Sequence, residues 1–121
     1  EWVNSRLRAL VREGRDVVVD GRDIGTVVFP DADLKVFLTA SAEARAGRRI
    51  SQRGRAIDSA EVAREAAELS ARDAADSTRA VAPLRRADDA VDLDTTALGF
   101  ADQVARILTL ARARLGRPDL P

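Results

Sequence analysis

The sequence predicts an α/β protein in which a parallel sheet is flanked by helices. Short runs of β-branched residues alternate with longer amphipathic stretches, an order typical of parallel strands joined by helices. The run Val17–Val19 is continuously apolar and ends at an Asp-Gly pair, as expected of a strand buried on both faces. The length of 121 residues fits one small domain with a core of its own.

The first third of the chain is predicted to contain a helix, two strands and a loop. Apolar residues at helical spacing indicate a helix over residues 1–13 that ends near Gly14. Val17–Val19 forms the first predicted strand. Residues 21–33 carry glycines and a proline and are expected to be an ordered loop, and residues 34–39 form the second strand.

The remainder of the chain is predicted to be mostly helical. Ser41 and either Asp58 or Ser59 are N-cap residues, each followed by an acidic residue in the first turn. The predicted elements are a helix over 41–53, a helix from 58 or 59 to 79, a strand over 90–93 and a helix over 98–115. Residues 54–58 connect two helices, and their spacing favours a simple turn over a hinged flap.

The composition excludes several classes of function. The chain has no Cys and no His, which excludes a disulfide scaffold, a thiol nucleophile, a Ser-His triad and a zinc site of the usual ligands. Its 20 basic and 20 acidic residues balance, which is unlike most nucleic-acid-binding proteins. The sequence has neither a long apolar segment nor a secretory leader. We therefore expect a cytoplasmic protein that binds neither nucleic acid nor membrane.

The basic residues are almost all arginine, with Lys35 as the single lysine. Arginine places two donors on a phosphate or carboxylate at once, so the excess could indicate a phosphate-binding surface. Codon bias in a GC-rich genome would give the same excess and accounts for most of the total. Only the positions of the arginines can therefore argue for a function.

A first candidate site follows the first predicted strand, as Asp20-Gly21-Arg22-Asp23. Ligands of open parallel sheets bind at the carboxyl ends of the strands. Asp20, at the tip of a buried strand, is a candidate for holding a hydrated magnesium ion. The alternative is an Arg22–Asp23 ion pair that fastens the loop, and the spacing favours neither interpretation.

A second candidate site lies on the long central helix. Arg72, Asp76 and Arg79 are spaced four and three residues apart and therefore share one helix face. Two guanidinium groups flanking a carboxylate could bind a phosphate and a sugar hydroxyl together. The alternative is a solvated row of salt bridges, which the spacing alone favours.

Two further observations concern nucleotide binding. Arg45, Arg48 and Arg49 form a basic helix face, which by itself is a weak signal. A Walker A loop requires G-x-x-x-x-G-K-[ST], but Lys35 lies at the start of a strand and follows no glycine loop. This chain therefore contains no Walker A loop.

The run from Val17 to Ala32, VVVDGRDIGTVVFPDA, resembles the signature of bacterial cytidylate kinases. Further segments recur in the same order in that family: the strand 34–40 with Ser41, the Arg48-Arg49 pair, Arg72-Asp73 through Asp76 to Arg79, Ala80–Leu84 and Val91–Thr96. The resemblance covers nearly the whole chain. It identifies residues 1–121 as the carboxyl-terminal part of such a kinase, without the amino-terminal Walker A segment.

The resemblance implies a partial P-loop nucleoside monophosphate kinase fold. It also implies transfer of the γ-phosphoryl group of ATP to CMP or dCMP, with Mg²⁺ as cofactor. The roles implied for the acceptor are these: Arg22 holds its phosphate, Asp23 orients its cytosine, Asp76 hydrogen-bonds its sugar, and Arg72 and Arg79 bind phosphates at the acceptor and transfer site.

Other roles implied by the resemblance concern ATP and the metal. Arg48 and Arg49 would face the ATP side, and residues 54–58 would form a short lid. Asp20 would act together with Arg72 and Arg79 in the transfer, contacting the metal only through water.

The family's sheet order places the absent first strand between Val17–Val19 and the strand at 34–39. We therefore expect the remaining strands to rearrange, to pair with another chain or to leave an open slot. In one hypothesis the chain is a piece of an active kinase and is inactive alone. In the other it is a non-catalytic module that binds nucleotide or assembles through its exposed strands, with the amino-terminal half or a second copy as partner.

Overall fold

The computed structural model describes residues 2–81 and 83–120. The elements in chain order are α1 (Trp2–Arg12), a single wide helical turn (Ile24–Val28), β1 (Val36–Thr39), α2 (Ala42–Gln52), α3 (Ser59–Ser77), β2 (Val91–Asp94) and α4 (Phe100–Leu115). Over these ranges, no helix combines the length and apolar character that a membrane crossing requires.

The two strands form a parallel sheet, as the sequence predicts. Val36 lies opposite Val91 and Thr39 lies opposite Asp94, so the carboxyl ends of β1 and β2 are side by side. The connection between them runs through α2 and α3, which is the helical crossover that a parallel pair requires. The strands predicted at 34–39 and 90–93 are confirmed to within two residues.

The predicted strand at Val17–Val19 is wrong. Within the described residues only β1 and β2 pair, and residues 15–20 are irregular. Val18 is fully exposed, at 102%, and Val17 is 39% exposed. A buried strand needs a neighbour to accept its backbone hydrogen bonds and a layer to cover its side chains. The described residues provide no strand that pairs with residues 17–19, and of the three valines they cover only Val19, in part.

The predicted helix starts are confirmed by their caps, whereas α3 ends at Ser77, two residues before its predicted end, so that Arg79 lies just beyond the helix. The Ser41 hydroxyl accepts a hydrogen bond from the amide of Ala44, at 3.1 Å, and the Asp58 carboxylate caps α3 in the same way, at 3.3 Å. Gly54 has a φ of +70°, the left-handed conformation that ends α2. Residues 54–58 are exposed and connect α2 to α3 as a turn, and their role as a lid stays a prediction.

The core lies between α2 and α3. Ala46 is fully buried there, against Ala66 and Leu69, which are 6% and 7% exposed. Ala42 and Val62 pack against this cluster from the first turns of the two helices. Because most of these side chains are small, the two helices approach each other closely.

A buried carboxylate also joins α2 to α3. Glu65 is only 9% exposed. It accepts hydrogen bonds from Arg49, at 2.9 Å, and from Arg53, at 3.1 Å. The hydrogen bond from Arg49 is the main reason why the pKa of Glu65 lies below its ordinary value of 4.5, and the charge and hydrogen bond of Arg53 add to it.

Because the pKa of Glu65 is lowered in the folded chain, the stabilisation that Glu65 provides should depend on pH. Above about pH 4.5 the carboxylate is ionised in both folded and unfolded chains, so its full contribution is present. Below that pH the unfolded chain takes up the proton first, and the contribution is lost as the pH falls through the folded pKa. We expect Glu65→Gln to lower the urea midpoint clearly at pH 7 and much less at pH 3.

The matched control is Glu68→Gln, because Glu68 lies on the same helix and is exposed. Its urea midpoint should stay close to that of the unaltered chain at both pH values. A difference between Glu65→Gln and the unaltered chain that is equal at pH 7 and pH 3 would contradict the assignment.

Candidate functional site

Asp76, near the end of α3, is the meeting point of two arginines. Arg22 forms an ion pair with Asp76 through its Nη1 atom, and Arg79 Nη1 lies 3.6 Å from Asp76 Oδ1. The Asp76 side chain is 17% exposed, whereas those of Arg22 and Arg79 are 47% and 56% exposed. We refer to Arg22, Asp76 and Arg79 as the Asp76 cluster.

The charges of the Asp76 cluster favour binding of an anion. Two guanidinium groups share a single carboxylate, so one positive charge is not neutralised within the cluster. The carboxylate is mostly covered and the arginines remain half exposed, so their outer N–H groups are accessible to a ligand. Paired guanidinium groups suit a phosphate, because each can donate two parallel hydrogen bonds.

Arg72 lies one helical turn before Asp76 and on the same face of α3. Its side chain is exposed and takes part in no hydrogen bond or ion pair with the residues that the structure describes. Arg79 and Asp76 are three residues apart, so their contact is also expected in a solvated row of salt bridges. Arg22 reaches Asp76 from a distant part of the chain, which such a row would not include. The binding roles of all three arginines stay predictions.

The wide turn at Ile24–Val28 sets the direction of Arg22. The Asp23 carbonyl accepts hydrogen bonds from the amides of Val27, at 2.8 Å, and Val28, at 3.3 Å. A Cβ atom on Gly21 would lie 2.6 Å from Ile24 Cγ1, so only glycine fits there without displacing the turn.

The ion pair between Arg22 and Asp23 that the sequence offered as an alternative does not form. Arg22 pairs with Asp76 instead. The Asp23 side chain is half-buried and does not cap the turn that it precedes. Its predicted role toward the cytosine stays a prediction.

Asp20 is exposed and lies in an irregular segment. Over residues 2–81 and 83–120, no group of three or more His, Cys, Asp or Glu side chains could hold a metal ion. Magnesium in nucleotide enzymes keeps several waters and is held by one or two carboxylates together with substrate phosphates. Asp20 fits only this limited role, through water, and the role stays a prediction.

Arg48 lies at the carboxyl ends of the strands. It donates to Thr95 Oγ1, at 3.1 Å, to the Thr95 carbonyl and to the Leu98 carbonyl, at 3.2 Å. Thr95 is 4% exposed, and its hydroxyl donates to the Thr39 carbonyl at 3.0 Å. Arg48 therefore fastens the segment between β2 and α4 to the end of β1.

The basic residues of α2 do not form one face directed at a ligand. Arg45 pairs with Asp73 at 2.6 Å, Arg48 binds the segment after β2, and Arg49 binds Glu65. Each guanidinium group therefore has a partner within the chain. The expectation that Arg48 and Arg49 face ATP stays a prediction.

Two surface grooves lie away from the Asp76 cluster. One, of about 400 Å³, runs along α2 and α3 and is lined mainly by small side chains. The other, of about 320 Å³, lies between the beginnings of the two strands and α4. Neither is lined by Arg22, Asp76 or Arg79.

Some contacts were missed by the sequence analysis because they join residues far apart in the chain. Arg8 lies off the apolar stripe of α1, so helical spacing gives no sign of its contacts, yet it donates to the carbonyls of Val27 and Val28, both at 3.0 Å. Glu65 was not singled out at all. Its position four residues before Leu69, on an otherwise apolar stripe, was the only available signal.

A family model described as cytidylate kinase matches residues 1–113 of this chain. The chain belongs to the cytidylate kinase family. The resemblance drawn from the sequence is therefore confirmed, and the matched region includes all residues of the Asp76 cluster. The cytidylate kinase of Rhodococcus jostii (strain RHA1) is 54% identical over 112 residues, which cover 90% of this chain. That of Thermotoga petrophila is 47% identical over 113 residues, which cover 91%.

The chain spans about half the length of these curated cytidylate kinases, 48% of the first and 50% of the second. Half of each relative therefore lies outside the match. The residues of this chain that match the relatives contain no Walker A motif.

Proposed function

We propose that this chain provides the acceptor-binding part of a CMP or dCMP kinase with the P-loop nucleoside monophosphate kinase fold. The observation that carries the proposal is the Asp76 cluster, in which Arg22, two residues before the wide turn, and Arg79, just beyond the end of α3, meet at one carboxylate of α3. The small parallel sheet with its helical crossover is the part of that fold which this chain would supply. The relatives are named cytidylate kinases, and this name is the basis for proposing CMP as the acceptor nucleotide.

In the proposed complex the phosphate of CMP binds between Arg22 and Arg79. Each guanidinium group then donates some of its N–H groups to the phosphate oxygens and fewer to Asp76. The Asp76 carboxylate then accepts a hydrogen bond from a sugar hydroxyl. Asp23, the residue next to Arg22, would orient the cytosine.

The reaction is a displacement at phosphorus. An oxygen of the CMP phosphate attacks the γ-phosphorus of ATP, the bond to the β-phosphate oxygen breaks, and ADP leaves with the electron pair. Catalysis of this kind is mostly positioning and charge neutralisation. Arg72 has no partner among the described residues and is free to bind the transferring phosphoryl group beside Arg79.

Magnesium bound with ATP would neutralise the β- and γ-phosphate oxygens. No step is assigned to it here, because the described residues contain no carboxylate cluster to hold it. Asp20 would contact it through water. The lysine that binds the transferring phosphate in P-loop enzymes would come from a segment outside this chain.

The surface of the chain supports the need for such a segment. Its solvent-accessible surface is 8,718 Å². A folded protein of 13.0 kDa is expected to expose about 6,300 Å². The excess of about 2,400 Å² is the size that one side of an extensive permanent interface covers. Assembly of a non-catalytic module through Val17–Val19 would use the same surface and is the alternative function.

The test is a chimeric kinase. The matching region of the Rhodococcus jostii cytidylate kinase is replaced by this chain, and CDP formation from ATP and CMP is measured. Turnover near that of the parent supports the proposal. A folded chimera that binds ATP but forms no CDP or dCDP would favour the non-catalytic alternative.

A further inference from the structure

Arg8 makes a two-point contact with the wide turn Ile24–Val28, which begins two residues after Arg22. Its Nε atom donates to the Val28 carbonyl and its Nη2 atom to the Val27 carbonyl, both at 3.0 Å. The donor lies on α1, and the acceptors are about twenty residues further along the chain. One planar guanidinium thus grips two consecutive carbonyls.

Among the described residues, no backbone amide donates a hydrogen bond to the carbonyl of Val27 or of Val28. The last carbonyls of any helical turn point beyond its end, where no intrahelical N–H group follows. Val28 is only 2% exposed, so water has little access to its carbonyl, whereas Val27 is 54% exposed. A positive charge at the carboxyl end of a helical turn is also favoured by the peptide dipoles.

The hydrogen bonds from Arg8 affect the position of Arg22 because the turn between them is short. It spans only Ile24–Val28, with the Asp23 carbonyl fastened at its other end by the amides of Val27 and Val28. Arg22 is the next residue toward the amino terminus, and Gly21 is in close contact with Ile24. A movement of the gripped end is therefore passed on to Arg22.

We propose that Arg8 is a positioning residue for the acceptor phosphate. It holds the Ile24–Val28 turn so that Arg22 meets Arg79 at Asp76, and it does so without touching the nucleotide. The inference rests on the proposed function. It assigns a specific role to α1, which has no fully buried residue and is attached to the turn by this side chain.

The alternative is that Arg8 only attaches α1 to the remainder of the chain. Loss of a mere attachment would lower stability and the fraction of active protein while leaving substrate binding unchanged. Loss of a positioning contact would weaken binding of the acceptor and leave binding of ATP unchanged. The two roles therefore differ in their effects on the separate KM values.

The experiment uses the chimeric kinase with Arg8→Ala, Arg8→Lys and, as matched control, Arg12→Ala. Arg12 is exposed one turn further along α1, and its side chain contacts none of the described residues through a hydrogen bond or ion pair. We expect Arg8→Ala to raise KM for CMP at least tenfold and to change KM for ATP less than twofold. Arg8→Lys, which keeps the charge and one donor, should recover part of the loss, and Arg12→Ala should match the unaltered chimera.

Amide hydrogen exchange provides a readout that does not need turnover. The amides of Val28 and Phe29 donate to the Asp23 and Ile24 carbonyls within the turn. They should exchange at least tenfold faster in Arg8→Ala and at the normal rate in Arg12→Ala. Unchanged exchange, or equal increases in both KM values, would overturn the inference. An inactive unaltered chimera would instead refute the proposed function, and exchange at the two amides would still decide whether Arg8 holds the turn.

Discussion

The isolated chain is expected to form no CDP from ATP and CMP, whereas the chimeric kinase forms it readily. The physical reason is the lack of a Walker A loop, whose lysine binds the β- and γ-phosphates of ATP. Lys35, the single lysine, is not available for that purpose, because its side chain is 8% exposed and its amino group pairs with Asp89 at 2.8 Å and with the Pro30 carbonyl. The loop Gly21–Thr26 has glycines and a hydroxyl but no lysine.

The measurement is release of CDP at saturating ATP and CMP, with the chain purified from its host under denaturing conditions and refolded. The control is the same chain with Arg79→Ala, prepared identically. Residual turnover that is equal in both preparations comes from contaminating host kinase. Turnover that is present in the unaltered chain and lost in the Arg79→Ala chain would contradict the expectation, because it would show that this half binds and transfers phosphate unaided.

Arg79→Ala in the chimeric kinase is expected to lower kcat at least tenfold, because removing one preorganised donor to a transition state costs about a hundredfold to a thousandfold. Arg79 and Arg22 together bring two positive charges to Asp76. Removing Arg79 leaves Arg22 and Asp76 as a neutral pair. The cluster then has no net charge to neutralise the phosphates as the γ-phosphoryl group moves.

The matched control is Arg64→Ala, since Arg64 is an exposed arginine of α3, the helix that carries Asp76. It removes the same charge about three turns before Asp76, so it should leave kcat within twofold of the unaltered chimera. A normal kcat in Arg79→Ala would make Arg79 a surface residue. Equal losses in both variants would assign the effect to general charge and not to the Asp76 cluster.

Most of the fold could be predicted from local sequence because its signals are local. Ser41 and Asp58 begin the helices with their own side chains, and Gly54 ends α2 by its left-handed backbone. Each of these effects acts within a few residues. The strands β1 and β2 were also found, because each has its partner within this chain.

The failure at Val17–Val19 has the opposite cause. The three valines have the composition of a buried strand, but composition does not reveal whether a neighbouring strand is present. Val18 is fully exposed because none of the described residues covers it. In the chimeric kinase this segment would have a neighbour, if the amino-terminal part supplies the missing strand.

The candidate site was predictable in part. Helical spacing places Arg72, Asp76 and Arg79 on one face, and the family resemblance adds Arg22. Neither source predicts that Arg22 pairs with Asp76, or that Arg48 is engaged by Thr95, since those contacts depend on packing between distant segments. Arg8 was missed for the same reason.

The most direct test of the central claim is a crystal structure of the chimeric kinase with CMP bound. The account predicts that the CMP phosphate lies within hydrogen-bond distance of both Arg22 and Arg79, with a sugar hydroxyl donating to Asp76. A structure in which CMP occupies another surface, while Arg22 and Arg79 still meet only Asp76, would contradict it.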